Sequence, residues 1–204
     1  MLRLHCAPQT ISVATAITLT EAGLPFQPVA VDFATAQQTT PGYHAINPKG
    51  RVPALETPQG ILTETGALLE YAAALAPEAG LVPQDPFQAA LMREMMFYLA
   101  STMHVNHAHK MRGHRWAERE DSHLDMRAKV PQTMAASCAW VESRLQGPYL
   151  LGDALCLADP YLFTICTWLP GDGVDISAYP RLAAHHAAMN ARASVAHVRA
   201  LGLL

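Results

Sequence analysis

Segments that favour β-strand are confined to the first third of this 204-residue chain. Runs rich in leucine and β-branched residues occur at 2–6, 27–31, 51–56 and 61–63, and amphipathic helical segments occur at 10–23 and 64–76. The order is strand-helix-strand followed by strand-strand-helix. It predicts a mixed four-stranded sheet with helices packed on it.

The rest of the chain shows only helical patterns. Three prolines and a glycine between 76 and 86 indicate a linker, so we predict an α/β domain at 1–77, a linker at 78–86 and an all-helical domain at 87–204. Asp85 and Pro86 suit the start of a long helix, and Pro131 either kinks the next helix or marks its start. The inner face of the first of these helices is predicted to carry Met92, Met96, Leu99 and Met103. Shorter helices are expected near 159–168, 180–191 and 194–201.

Composition excludes several classes of protein. Half of the residues are apolar and 15% are charged, which is typical of a globular protein. A net charge of −3 without a basic run argues against nucleic-acid binding, and no 18-residue apolar stretch predicts a membrane helix. The four cysteines show neither a C-x-x-C pair nor metal-ligand spacing, and no export signal is evident. We therefore expect reduced, buried thiols in a cytoplasmic protein.

A proline interrupts the strand-like segment 51–56. Because Pro53 cannot donate to a strand ladder, we predict a cis Val52–Pro53 bond at a sheet edge, with the Val52 backbone free to pair with an extended peptide. Glu64 and Thr65 then open a helix whose N-terminus favours a carboxylate, while the Glu64 side chain suits an ammonium group. An amino-acid head beside an extended backbone describes a γ-glutamyl tripeptide. The alternative is that the proline and the helix start serve the fold alone.

Four motifs together resemble the glutathione transferase superfamily, and most closely its bacterial beta-class-like branch. They are N-P-K-G-R-V-P-A-L at 47–55, E-T-G at 64–66, I-T-L-T-E-A-G at 17–23 and L-A-D-P-Y-L-F at 157–163. The resemblance covers the whole chain. It implies a thioredoxin-like N-terminal domain that holds glutathione as co-substrate, an all-helical C-terminal domain, no metal and a homodimer. It also implies a glutathione site formed by Arg51, Val52, Pro53, Glu64 and Thr65.

The chain departs from the beta-class pattern where the sulfur would be bound. Ile11 stands where that class has a cysteine, and Cys6 lies about five residues too early to replace it. A hydroxyl at the start of the first helix is therefore the predicted thiolate donor, with Ser12 favoured over Thr10. Helix capping by the same two hydroxyls is the alternative.

The second half contains a group of histidines. His104 occupies the position of the beta-class active-site histidine, whereas Val105 replaces the lysine that follows it. His107 and His109 lie close by, and their interpretation stays open between metal ligands, residues that touch glutathione or substrate, and solvated or packed side chains. No cysteine or carboxylate stands at a matching spacing, so no metal is predicted.

The predicted activity is transfer of the glutathione thiolate to a small, largely apolar electrophile. Ser12 or Thr10 would support the thiolate, and His104 with Trp116 or Trp168 would line the acceptor side. The first alternative is an enzyme of glutathione-dependent thiol-disulfide exchange or peroxide reduction, which the loss of the cysteine disfavours. The second is a non-catalytic ligand-binding or docking protein of the same fold.

Overall fold

The computed structural model describes residues 1–204, which form two compact units. The first comprises residues 1–83 together with 189–204, and the second comprises residues 84–188. The segment 189–204 was expected in the helical domain, but it folds with the first unit because its helix packs against the first helix of the chain. None of the helices combines the length and the apolar character needed to cross a bilayer.

The first unit is built on a four-stranded sheet. Its elements are β1 (Leu2–Cys6), α1 (Ser12–Glu21), β2 (Phe26–Ala30), α2 (Pro41–His44), β3 (Ala54–Thr57), β4 (Gly60–Thr63) and α3 (Thr65–Leu75), with α9 (Ala193–Ala200) added from the end of the chain. The strand order is β2-β1-β3-β4; β1 and β2 are parallel, and β3 is antiparallel to β1 and β4. The predicted mixed four-stranded sheet is confirmed.

The prediction about Pro53 is confirmed in one part and corrected in another. The Val52–Pro53 bond is cis. However, β3 begins at Ala54, after the proline, and it lies between β1 and β4 instead of at a lateral edge. The ladder starts where backbone N–H groups are again available, so Pro53 lies immediately before the start of a central strand.

Helix α1 is the central helix of the first unit. All residues from Ser12 to Leu19 are buried, and α1 packs against both α3 and α9. Glu21, its last residue, accepts hydrogen bonds from the Arg192 guanidinium, with Nε and Nη2 at 2.5 and 2.8 Å, and from the Ser194 hydroxyl. The amphipathic pattern of α1 predicted one buried side, whereas neighbours on several sides bury it almost completely.

The second unit is all-helical. Its helices are α4 (Pro86–Tyr98), α5 (His104–Arg112), α6 (Glu120–Arg144), α7 (Ala158–Cys166) and α8 (Pro180–Asn190), of which α8 ends within the first unit. A π-helical turn at Leu99–Met103 divides the predicted long helix into α4 and α5. Asp85 caps α4 by accepting from Gln88 N–H at 2.8 Å, as predicted. The predicted inner face is confirmed by burial of Met92, Met96, Leu99 and Met103. Pro131 lies inside α6 and does not mark its start.

Candidate active site

The loop between β1 and α1 brings two hydroxyl groups together. Thr10 Oγ1 lies 2.7 Å from Ser12 Oγ and 2.8 Å from the carbonyl oxygen of Ala7, to which it donates. Ser12 Oγ accepts from Ala7 N–H at 3.2 Å and lies 3.2 Å from the Ala7 carbonyl oxygen. The two hydroxyls and the Ala7 peptide therefore form one small hydrogen-bonded cluster.

Burial distinguishes the two hydroxyls. Ser12 is completely buried, and Thr10 is partly exposed. A hydroxyl has one proton to donate, and that of Ser12 is directed to Thr10 or to Ala7 within the protein. Ser12, the expected donor to a bound sulfur, is thus the buried member of the pair, and Thr10 is the partly exposed one.

The N-terminus of α1 adds a favourable electrostatic potential beside Thr10. Ile11 occupies the N-cap position without a side-chain hydrogen bond, and the first turn contains no acidic residue. The N–H groups of Ser12, Val13 and Ala14 already donate within the turn, to Thr10 Oγ1 and to the carbonyl oxygens of residues 10 and 11. The attraction for a negative charge at this terminus therefore comes from the helix dipole. The start of α1 can thus hold a thiolate without a cysteine at position 11.

Cys6 is unsuited to covalent chemistry in the folded protein. It lies at the end of β1, is 1% exposed, and its Sγ contacts the carbonyl oxygen of Val29 at 3.9 Å. Burial raises the pKa of its thiol to about 11. Since the thiolate is the reactive form, Cys6 is a packed side chain and not a nucleophile at neutral pH.

Residues 51–53 are held by side chains that the sequence patterns did not single out for this role. The carbonyl oxygen of Arg51 accepts from the Tyr43 hydroxyl at 2.8 Å and from Asn47 Nδ2 at 2.6 Å. Burial raises the pKa of Tyr43 to about 12, so its hydroxyl keeps its proton. The Arg51 side chain is exposed, and Val52 precedes the β3 ladder, so the sheet does not use its backbone N–H and C=O.

Glu64 is a conformational outlier at the start of α3. Its φ and ψ are 72° and 118°, a backbone conformation that residues other than glycine rarely adopt. It stands immediately before α3, whose first residue is the buried Thr65. Its side chain is 69% exposed, and its carboxylate lies 2.5 Å from Lys49 Nζ, which also donates to Thr63 Oγ1 at 2.7 Å. The strained backbone thus presents a carboxylate, an ammonium group and a helix N-terminus at one place.

The predicted histidine cluster lies in the second unit. The rings of His104 and His107 both lie against Trp168, with centroids at 5.1 and 4.2 Å. His107 Nδ1 is 2.7 Å from Oδ2 of the buried Asp172, a partner that is 65 positions away and that the sequence pattern did not indicate. His109 packs edge-on to Trp116. No group of three histidine, cysteine or acidic side chains is arranged to hold a metal ion.

Two family models match this chain. The model of the glutathione S-transferase N-terminal domain matches residues 3–74, and a model of the glutathione S-transferase C-terminal domain matches residues 108–200.

Individual relatives match over nearly the whole chain. Glutathione S-transferase GST-4.5 of Xanthomonas campestris is 32% identical over 99% of this chain and 100% of its own. A glutathione transferase homologue from Sulfitobacter, crystallised with bound glutathione, is 63% identical with a TM-score of 0.99, covering 100% of this chain and 99% of that one. A bacterial beta-class enzyme of Sphingomonas chungbukensis is 29% identical with a TM-score of 0.84, covering 99% and 100%. The resemblance predicted from the motifs is confirmed.

Proposed function

This chain belongs to the glutathione S-transferase superfamily and is a glutathione transferase, and we propose that it activates the glutathione thiol through the hydroxyl of Thr10. The thiolate then attacks a small, largely apolar electrophile. The observation that carries the proposal is the cluster formed by Ala7, Thr10 and Ser12 at the start of α1.

The cluster suits a chain of donors that ends at the sulfur. Ala7 N–H donates to Ser12 Oγ, the Ser12 hydroxyl donates to Thr10 Oγ1, and the Thr10 proton turns from the Ala7 carbonyl to the sulfur. Each bond in such a chain polarises the next. An ordinary thiol has a pKa of about 8.5, and lowering it by about two units takes about 2.7 kcal/mol, which one hydroxyl together with a helix terminus can supply. Ser12 is then a positioning residue and Thr10 the donor.

We place the tripeptide along residues 51–53 and the start of α3. The unused backbone of Val52 suits pairing with the cysteinyl part, beside Arg51 and Pro53. Glu64 suits the ammonium group and the first turn of α3, with Thr65, suits the carboxylate of the γ-glutamyl end. The strained backbone at Glu64 supports a functional role, because such conformations occur mostly at functional sites.

Thiol-disulfide chemistry is disfavoured, since burial of Cys6 keeps its thiol protonated. Cys138, Cys156 and Cys166 are also buried and unpaired. His104 stays a predicted acceptor-side residue. We further propose that the protein works as a homodimer in the reducing cytoplasm, where unpaired cysteines persist.

Three variants test the assignment by ultraviolet titration of the bound glutathione thiolate and by turnover with chlorodinitrobenzene. Thr10→Val removes the donor and keeps the shape, so the thiol pKa rises by about one unit or more and turnover at neutral pH falls about ten-fold or more. Ser12→Ala gives a smaller rise, since Thr10 keeps its own proton.

Cys6→Ala is the matched control, and it leaves both the pKa and turnover unchanged. Loss of activity in Cys6→Ala alone, or a mixed disulfide between glutathione and Cys6 found by mass spectrometry, would contradict the proposal.

A further inference from the structure

Helix α9 ends in a turn that fixes the position of the next residue. Gly202 has a φ of +75°, its N–H donates to the Arg199 carbonyl oxygen at 2.9 Å, and Leu203 N–H donates to the Val198 carbonyl oxygen at 3.3 Å. This pair of bonds is the Schellman arrangement, in which a left-handed glycine closes a helix. Leu203 and Val198 are both buried, which completes the apolar contact typical of this turn. The backbone of Leu203 is therefore held in one place.

The fixed carbonyl of Leu203 holds the loop that precedes α1. It accepts a hydrogen bond from Gln9 N–H at 2.9 Å. Gln9 is exposed and has a φ of +55°, a left-handed conformation that costs free energy for a residue with a side chain. A residue in this conformation persists only where its surroundings impose it. Gln9 directly precedes Thr10, so the bond to Leu203 fixes the backbone next to the residue that carries the hydroxyl.

The other end of α9 is attached to the opposite end of α1. The Arg192 guanidinium and the Ser194 hydroxyl, at the start of α9, both donate to the carboxylate of Glu21 at the end of α1. The two helices also pack along each other. Helix α9 thus runs beside α1, joined to its last residue at one end and to the loop before its first residue at the other.

We propose that Leu203 is a positioning residue for the thiol-activating loop, acting through its carbonyl on Gln9 and so on Thr10. The inference rests on the proposed role of that loop in activating glutathione. Loosening the turn lets Gln9 leave its left-handed conformation and moves the Thr10 hydroxyl and the start of α1 away from the sulfur. The contacts proposed for the γ-glutamyl end, at Glu64 and Thr65, stay in place. Activation of the thiol therefore fails before binding of glutathione does.

The test compares a leucine-to-alanine change in the turn after α9 with the same change in the turn after α1. Leu203→Ala removes the buried side chain that fixes the turn after α9. Leu24→Ala is the control, because α1 ends in the same kind of turn: Gly23 has a φ of +66°, and Leu24 N–H donates to the Leu19 carbonyl oxygen at 2.9 Å. Leu24 is partly exposed whereas Leu203 is buried, so the loss of stability is measured for both variants and the comparison is made on thiol pKa and kcat. Leu24 follows the end of α1 that is farther from Thr10. Leu203→Met, which retains an apolar side chain of similar volume, tests for rescue.

We expect Leu203→Ala to raise the pKa of the bound glutathione thiol by about one unit and to lower kcat at neutral pH about ten-fold. Its KM for glutathione stays within about three-fold of the parent protein, because the γ-glutamyl contacts remain. Leu24→Ala and Leu203→Met keep the parental thiol pKa and kcat. All variants are measured at a temperature at which circular dichroism shows them folded.

A Leu203→Ala variant that matches Leu24→Ala in thiol pKa and kcat overturns the inference. If Thr10→Val raises the thiol pKa and Leu203→Ala does not, the proposed role of Thr10 stands and the positioning role of Leu203 fails. If Leu203→Ala raises it and Thr10→Val does not, backbone N–H groups of the loop hold the thiolate and the positioning role stands. Should Leu203→Ala not fold, Gly202→Ala and Gly23→Ala form the second pair, since an added Cβ meets no atom within 4 Å at either site and the change acts only on the left-handed φ.

Discussion

At the scale of single residues, Glu64 combines a cost to the fold with a proposed use in binding. A backbone conformation of this kind costs on the order of 1–3 kcal/mol in a residue other than glycine. Its carboxylate contributes little to stability in return, because its ion pair with Lys49 is largely exposed to solvent. Stability and binding therefore depend on different parts of the same residue.

Substitution of Glu64 separates these two properties. We expect Glu64→Gln, which removes the charge that meets the ammonium group, to weaken glutathione binding about ten-fold or more, with little change in stability. Glu64→Gly weakens binding similarly and raises the melting temperature, because glycine adopts positive φ without strain. Calorimetry measures the first effect and thermal denaturation the second.

Lys49→Gln is the control for the ion pair. It leaves the Glu64 carboxylate in place, so the affinity for glutathione falls far less than in Glu64→Gln. An unchanged dissociation constant in Glu64→Gln would show that the γ-glutamyl end is bound elsewhere.

At the scale of secondary structure elements, the attachment of α9 to α1 depends on the charge of Glu21. Burial alone would raise the pKa of this carboxyl, but hydrogen bonds from Arg192 and Ser194 outweigh burial and hold the pKa below its usual value. When folding lowers the pKa of a carboxyl, that carboxyl stabilises the folded state at pH values above its pKa in the unfolded chain, which is about 4.3. That stabilisation is lost as the pH falls through the lower, folded value.

Removing the guanidinium should therefore destabilise the protein in a pH-dependent way. We expect Arg192→Met to lower the free energy of unfolding at pH 7, where it leaves a half-buried carboxylate without its cation, and to lower it less below pH 4. Denaturant unfolding at the two pH values measures the difference. Equal destabilisation at both would mean that the arginine acts through packing of its side chain alone.

The sequence predicted the elements better than their surroundings. The strands, the cap at Asp85 and the cis bond before Pro53 follow from local patterns, and the structure has them within a few residues of the predicted places. The π-helical turn at Leu99–Met103 was missed, because the apolar spacing before and after it is helical on both sides. Local patterns also do not show which partner covers an element, so the packing of α9 against α1 was not predicted.

The candidate site shows the same division. Motifs alone led to the prediction that Glu64, Thr65 and Val52 bind glutathione, whereas the proposed order of Thr10 and Ser12 depends on burial, which is a property of the assembled fold. Thr10 and Ser12 are two positions apart, yet Thr10 is partly exposed and Ser12 is buried. The tie between Gln9 and Leu203 joins residues at opposite ends of the chain, and no local signal marks it.

At the scale of the whole molecule, the proposed homodimer makes a prediction that does not depend on activity. Two phenylalanines of α4, Phe87 and Phe97, are 68% and 71% exposed, which leaves apolar surface in contact with water. Sedimentation at micromolar concentration should give twice the chain mass of 22.1 kDa. If Phe97 lies in the interface, Phe97→Glu weakens the dimer and Phe97→Leu does not. A monomer in the parent protein would contradict the proposal.

Because all four cysteines are buried, their reaction with a thiol reagent can measure how often the protein opens. A thiol reagent can label Cys6, Cys138, Cys156 or Cys166 only when the surrounding structure opens, and the raised pKa of Cys6 and Cys138, about 11 and 12, slows the reaction further while they remain buried. Cys6 lies in the first compact unit and the other three lie in the second. Mass-resolved labelling kinetics would therefore report separately how often each unit opens, without any engineered probe.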